Sequence, residues 1–243
     1  MKKIFTLIFA LPLFVFAQNN QGEIRYKEIT KFEVPEEYKQ YMTGMPDSLV
    51  KETILVFNET ESIYKNFENL DAAVDPEGGQ WWMMWFNKDV QTYKNFKDSI
   101  RIEKQDFMDK VFLIKEKLTD TTKWKIKPST DMVLGYQCMK ATTMKDSIEV
   151  TVWFTTQIPI PNGPSMSGGL PGMILKVEVP YNGGRRGSGK MTIIADKITF
   201  REVEPKEIEQ PKKGKEVTRE EYTTIVTEKM KEMRESGQWG GGR

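Results

Sequence analysis

The 243-residue chain carries 36 Lys and Arg against 35 Asp and Glu, and 38% of it is apolar. This near-neutral balance lacks the basic excess with which proteins hold phosphate backbones, which argues against nucleic acid as a partner. With no histidine and a single cysteine, Cys138, the Ser-His-Asp and Cys-His pairs, the common zinc sites and any internal disulfide are excluded.

The N-terminal segment "MKKIFTLIFALPLFVFA", residues 1–17, reads as a signal peptide cleaved after Ala17. Lys2 and Lys3 precede an apolar run from Ile4 to Phe16, shorter than the roughly 20 residues that span a bilayer. No cysteine lies near the cut, so the lipid-attachment site of a bacterial lipoprotein is missing. The expectation is an exported protein of the periplasm or cell envelope, not membrane-spanning once the segment is removed.

Next, "GEIRYKEITKFEV" alternates like a strand, and "PEEYKQYM" has the proline and acidic first turn of a short helix. "ETILVFNETESIYKN" reads as two strand stretches around a turn at Asn58–Thr60. A loop, "DAAVDPEGGQ", leads to Trp81–Phe86, six large apolar residues that favour a buried strand. Residues 90–118 hold further strand pieces, with Ile100 and Ile102 alternating with charge, and Val111 and Leu113 likewise. Trp124 and Ile126 precede a turn expected at Pro128–Asp131.

The clearest alternation is at 148–158, where Ile148, Val150, Val152, Phe154 and Ile158 face opposite to Glu149, Thr151, Trp153, Thr155 and Gln157. Further strands, at Met173–Val179 and "MTIIADKITFREVE", continue it as a meander. After them a charged linker is expected over 205–217, and 218–243 form an amphipathic helix with a Gly-rich tail. Thr218 and Glu221 make a capping box, while Tyr222, Ile225, Val226, Met230 and Met233 recur at helical spacing. The fold class expected is mainly β: a single curved antiparallel sheet or half-barrel meander over 18–204, with one or two peripheral helices.

Between Pro159 and Gly172, proline and glycine shape a loop with few ladder hydrogen bonds. It has no G-K-[ST] ending, no G-x-G-x-x-G and no helix behind it, so it is not a phosphate cradle. Two readings stay open: an architectural corner, with Leu170 plugged into the core, or the rim of an apolar cavity. For the second, the ligand-facing residues are Trp153, Ile158, Pro164, Leu170 and Pro171.

The stretch "SGGLPGMILKVEV", with "VWFTTQIPIPNGP" and "LGYQCMKA" before it, resembles the GLPGLI family of exported Bacteroidetes proteins. Its hexapeptide stands here as Gly169, Leu170, Pro171, Gly172, Met173 and Ile174, with Met173 in place of the usual leucine. The resemblance implies a periplasmic or envelope location and brings no established activity or catalytic residues.

Cys138 reads as a buried inert thiol, and the scattered methionines as core filling rather than a copper site. No catalytic residue, metal site or cofactor is expected. The functional expectation is a non-catalytic carrier that binds an apolar small molecule or lipid on a concave β face. The alternative is an accessory protein that docks onto an outer-membrane transporter or secretion complex through its C-terminal helix.

Overall fold

β-Branched and aromatic residues separated by short turns build strands in sequence order, and this chain folds them into one sheet. The protein is described here by a computed structural model covering residues 20–33, 36–39, 48–67, 91–118, 122–145, 147–182 and 188–236. Residues 1–17, read above as a signal peptide, the Trp81–Phe86 run, the loop before it and the closing tail lie outside the described residues.

Strand β1 (Gly22–Glu33) is followed by a four-residue helix α1 (Glu36–Lys39) and by β2 (Ser48–Phe57), β3 (Glu61–Asn66), β4 (Gln91–Asn95), β5 (Ile100–Phe107) and β6 (Lys110–Lys117). Then come β7 (Lys125–Val133), β8 (Tyr136–Lys145), β9 (Ile148–Thr155), β10 (Met173–Asn182) and β11 (Ser188–Phe200). A 3₁₀ turn (Pro205–Glu207), the short β12 (Lys215–Val217) and helix α2 (Arg219–Glu235) complete the chain. The sheet has 12 strands in the order β12-β6-β5-β4-β3-β2-β1-β11-β10-β9-β8-β7. All neighbours are antiparallel except β12, which runs parallel to β6. The mainly β fold, its meanders and its peripheral helices follow the reading of the sequence.

The turns are local chemistry. Met108 and Asp109 both have positive φ and close the β5–β6 hairpin in two residues. Leu134 and Gly135 do the same between β7 and β8. At the β2–β3 turn, Asn58 Oδ1 accepts hydrogen bonds from the Thr60 and Glu61 N–H groups. The turn expected at Pro128–Asp131 is instead part of β7, where the register shifts between Ile126 and Thr130. Proline is tolerated there because β7 is an edge strand and needs no second set of ladder donors.

Connectivity forces the sheet to curl. β6 and β7 stand ten strand positions apart, about 48 Å across a flat sheet. Only residues 118–124 join them, a span of at most about 29 Å even when fully extended. The two halves must therefore bend toward each other, giving a bowl with a concave and a convex face.

The main core fills the concave side. Ile24 and Tyr26 of β1, Leu55 and Phe57 of β2, Val152 and Phe154 of β9, and Ile193 and Ala195 of β11 are all buried there. So are Ile158, Ile160 and Leu170 from the long β9–β10 loop, which folds into the bowl. A register irregularity around Leu175 lets both Ile174 and Leu175 be fully buried.

The convex face has its own core of Ile54, Val56, Ile63, Tyr93, Ile102 and Leu113. This explains why β2 is apolar at four successive positions, Ile54–Phe57, with both of its faces covered. The cover comes from residues 201–214, which cross from β11 at the centre to β12 at the edge and insert Val203 and Ile208. Arg201 anchors the crossing by reaching both Glu23 and Glu207. The segment read as a charged linker is thus a strap packed on the sheet. Ile208→Ala should lower stability by about 2–4 kcal/mol, measured by urea unfolding, through the cavity it opens under the strap.

Candidate functional site

Where β3 to β6 line the bowl, the concave face turns polar. The antiparallel register sets Lys94 opposite Ser62 on one side and Arg101 on the other, and sets Glu103 opposite Thr92. Arg101 faces Glu116 on β6. Ser62, Thr92 and Lys94 are at most 2% exposed, and Glu103 is 4% exposed. Charges can sit so deep only because each finds a partner.

Lys94 is the clearest case. Its ammonium donates to Asn162 Oδ1 at 3.0 Å, to the Gly163 carbonyl at 3.0 Å and to the Ser167 carbonyl at 2.6 Å. The three donors of a charged lysine thus meet three oxygens of the β9–β10 loop. Burial pushes the Lys94 pKa well down, and neighbouring Arg101 adds to this. The matched set of acceptors favours the charged form against both effects.

Beside it lies an ion-pair latch. Arg219, the first residue of α2, bonds to Glu103 and, at 3.0 Å, to Glu116. Arg101 bonds to the same Glu116 oxygen at 2.8 Å. Burial alone would raise the Glu116 pKa, but hydrogen bonds from Arg219 and Arg101 outweigh it and hold the carboxyl below its ordinary value. Arg219 also touches Met166 of the loop. A further tie to the loop comes from Trp124, whose Nε1 donates to the Gly168 carbonyl at 3.0 Å. Loop, sheet and helix therefore meet at one place.

The loop conformation is encoded by its glycines. Gly172 has φ +154°, and a Cβ there would lie 2.1 Å from the Thr155 carbonyl oxygen. Gly169 has φ +78°, a left-handed turn suited to glycine. Of the residues named from the sequence as ligand-facing, Ile158, Pro164 and Leu170 are buried inside the protein, with Ile158 and Leu170 in the main core. Pro171 is exposed. Trp153 is half-buried against that core, with Lys176 Nζ 4.2 Å and Lys140 Nζ 5.7 Å from its ring centre. Cys138 is buried, and burial pushes its thiol up to about 11, so at neutral pH it is a thiol rather than a nucleophilic thiolate.

Lys94, Arg101, Glu103, Glu116 and Arg219 were not singled out from the sequence. The signal available was alternation in "QTYKNF" and "SIRIEKQDF", which puts Thr92, Lys94, Arg101 and Glu103 on one face. A charged face ordinarily reads as the solvent side.

Helix α2 begins with the expected capping box: the Thr218 N–H donates to Glu221 Oε2 at 2.7 Å and the Glu221 N–H to Thr218 Oγ1 at 3.2 Å. Its first turns pack Tyr222 and Ile225 on Phe112, Ile114 and Val217. Arg219→Met should cost about 2 kcal/mol by leaving Glu103 buried without its cation, a figure kept low because Arg219 is itself partly exposed. The folded-state pKa of Glu116 lies below its unfolded value. Its contribution is therefore present above about pH 4.3 and lost as pH falls through the folded value. Acid titration of unfolding free energy should show that loss in the unmodified chain and a shallower one in Arg219→Met. Lys94→Met, which strands three loop acceptors, should cost about 3 kcal/mol by the same assay.

Residues 87–218, more than half of the chain, match the family model described as N-glycanase peptide, N-terminal domain (PNGase F-II). No curated protein matches the sequence. Two crystal structures of PNGF-II, in space groups C2 and P21, resemble the fold with a TM-score of 0.55 and 18% identity over 85% of this chain. The match takes in 32% and 33% of those chains, so this chain spans about a third of their length. The expectation of a protein that is not an enzyme is overturned by this family match. Lack of histidine removes imidazole chemistry and leaves amide hydrolysis by carboxylates untouched, so composition never excluded a glycanase. By the span of its match, the chain belongs to the family of PNGase F-II N-terminal domains.

Proposed function

We propose that the chain works in N-glycanase chemistry, the hydrolysis that frees a glycan from an asparagine side chain, and that it supplies the N-terminal domain of that activity. The observation that carries this reading is the family match over 87–218. The rigidity of the bowl supports it: a sheet whose concave face is filled by its own loop and whose helix is latched by Arg219 offers a fixed surface to a bulky glycoprotein substrate. The bowl filled by Ile158, Ile160 and Leu170 is a poorer host for an apolar ligand than the carrier reading requires.

A second reading, docking through α2, is favoured by one observation. Beyond Tyr222 and Ile225, the stripe residues Val226, Met230 and Met233 stay half-buried on the helix. We place the contact with a partner there, whether the rest of a glycanase or an outer-membrane protein. Export to the periplasm or envelope is part of the proposal, as is membership of the GLPGLI group through Gly169–Ile174. Among the described residues no helix is long and apolar enough to cross a membrane.

The test uses an N-glycosylated peptide and mass spectrometry, which reads both the released glycan and the conversion of asparagine to aspartate. The chain is assayed by itself and after addition to an N-glycanase stripped of its N-terminal domain. Glycan release in either case, well above the stripped enzyme's own rate, is the expected result. No gain in either mixture, with the chain folded by circular dichroism, refutes the reading.

A further inference from the structure

Lys94 and Asn162 stand 68 positions apart in the sequence and meet inside the bowl, with Nζ 3.0 Å from Oδ1. Both residues are held in place. Lys94 lies on β4 between Ser62 of β3 and Arg101 of β5. The Asn162 N–H donates to the Ile160 carbonyl, its own carbonyl accepts from the Ile174 N–H, and the residue is bridged to Gly168. The side-chain carbon Cγ is one C=O bond beyond Oδ1, and is therefore no more than about 4.2 Å from the lysine nitrogen. An amine and a carboxamide are thus kept close to attack distance by two rigid elements, which gives each an effective concentration at the other that free solutes never reach.

A lysine attacks only as its neutral amine. Burial pushes the Lys94 pKa well below its ordinary value, and the neighbouring Arg101 cation adds to this. Desolvation and a nearby cation are the two settings that make a lysine nucleophilic. The three acceptors keep most of the group an ammonium, which sets the geometry, and the neutral fraction is what reacts. In that fraction the two remaining N–H bonds suffice for the Gly163 and Ser167 carbonyls. The lone pair then takes the third direction, toward Asn162. Asn162 Nδ2 bonds to no other group among the described residues, so turning the face of the carboxamide to the amine breaks no second contact with the chain. Arg101, which also reaches the Met166 carbonyl of the same loop, favours the negative charge that develops on Oδ1. Lys94 is 2% and Asn162 0% exposed, so the amine is not held back by bulk hydration.

We infer that Lys94 and Asn162 join in an intramolecular isopeptide bond. The Nζ lone pair adds to Asn162 Cγ, one amine proton passes to the Asn162 side-chain nitrogen, the Cγ–Nδ2 bond breaks and ammonia leaves. The other amine proton stays on the new amide, and atoms and charge balance without a co-reactant. The bond clamps β4 to the β9–β10 loop and so ties the two halves of the sheet together, in a chain whose single cysteine can form no internal disulfide. It is independent of the glycanase reading.

The experiment is peptide mapping by tandem mass spectrometry of the purified, folded full chain after denaturation and proteolysis, with no cross-linker added. The expected result is a species in which the peptide containing Lys94 is joined to the peptide containing Asn162, lighter than the two together by one ammonia. Lys94→Arg keeps the charge but lacks the nucleophile, and should give the two peptides separately. Chain isolated unfolded and then refolded should acquire the linkage at a rate that rises with pH, as more of the amine is neutral, and Arg101→Gln should slow it several-fold. Separate peptides from the unmodified chain, shown by circular dichroism to be folded, overturn the inference, whether Asn162 is intact or has cyclised onto Gly163 with the same loss of ammonia.

Discussion

A single buried ammonium holds the two halves of this protein in one shape. Lys94 sits on β4, in the half of the sheet built from β2 to β6, while its three acceptors lie in the loop between β9 and β10, in the other half. The connectivity demands that the sheet curl, but it does not say what fills the bowl once it does. The lysine decides this by giving three backbone and side-chain oxygens of an otherwise ladder-poor loop a buried partner. Without it, that loop would have to leave the interior to hydrate its carbonyls, and Ile158, Ile160 and Leu170 would leave the core with it.

The same logic explains the placement of the ion pairs. Arg219 could have satisfied a surface glutamate at little gain, since exposed pairs contribute little. It instead reaches Glu103, which is almost wholly buried, and so ties the start of α2 to the inner wall of the bowl. On the outer wall Arg201 performs a comparable task for the strap, pairing with Glu23 of β1 and Glu207 of the 3₁₀ turn. These hydrogen bonds, with the Glu204 N–H, hold Glu207 down at about 2. Both arginines sit where the chain leaves a strand to cross to a new layer. There the backbone ladder ends, and side-chain pairing takes over the task of fixing direction.

What could be read in the sequence was whatever depends on near neighbours. Alternation located β9 to β11, Asn58–Thr60 located the β2–β3 turn, and Thr218 with Glu221 fixed the start of the helix. Pro128 misled because proline signals a turn in general, and only the knowledge that β7 is an edge strand permits it within a ladder. Lys94 and Glu103 stayed hidden for a different reason. Their partners are far away in sequence, Lys94 from Ser167 and Glu103 from Arg219, so no local pattern marks the charged face of β4 and β5 as the inner one. The convex core compounds this, since Tyr93, Ile102 and Leu113 give the outer side an equally apolar look.

The β9–β10 loop joins these threads. Its glycines are dictated by backbone geometry: a side chain at position 172 would strike the Thr155 carbonyl, and one at 163 would meet Ile174 Cβ at 2.8 Å. Its apolar residues are dictated by the bowl, and its carbonyls by Lys94. A segment under three independent constraints cannot easily also be a mobile lip, because any opening breaks all three at once. On the proposed reading, recognition of a glycoprotein is therefore better sought on surfaces that this plug stiffens than in the plug itself. The half-exposed run of α2 is one such surface: it is held at its base by the latch and has Val226, Met230 and Met233 still partly open to a partner.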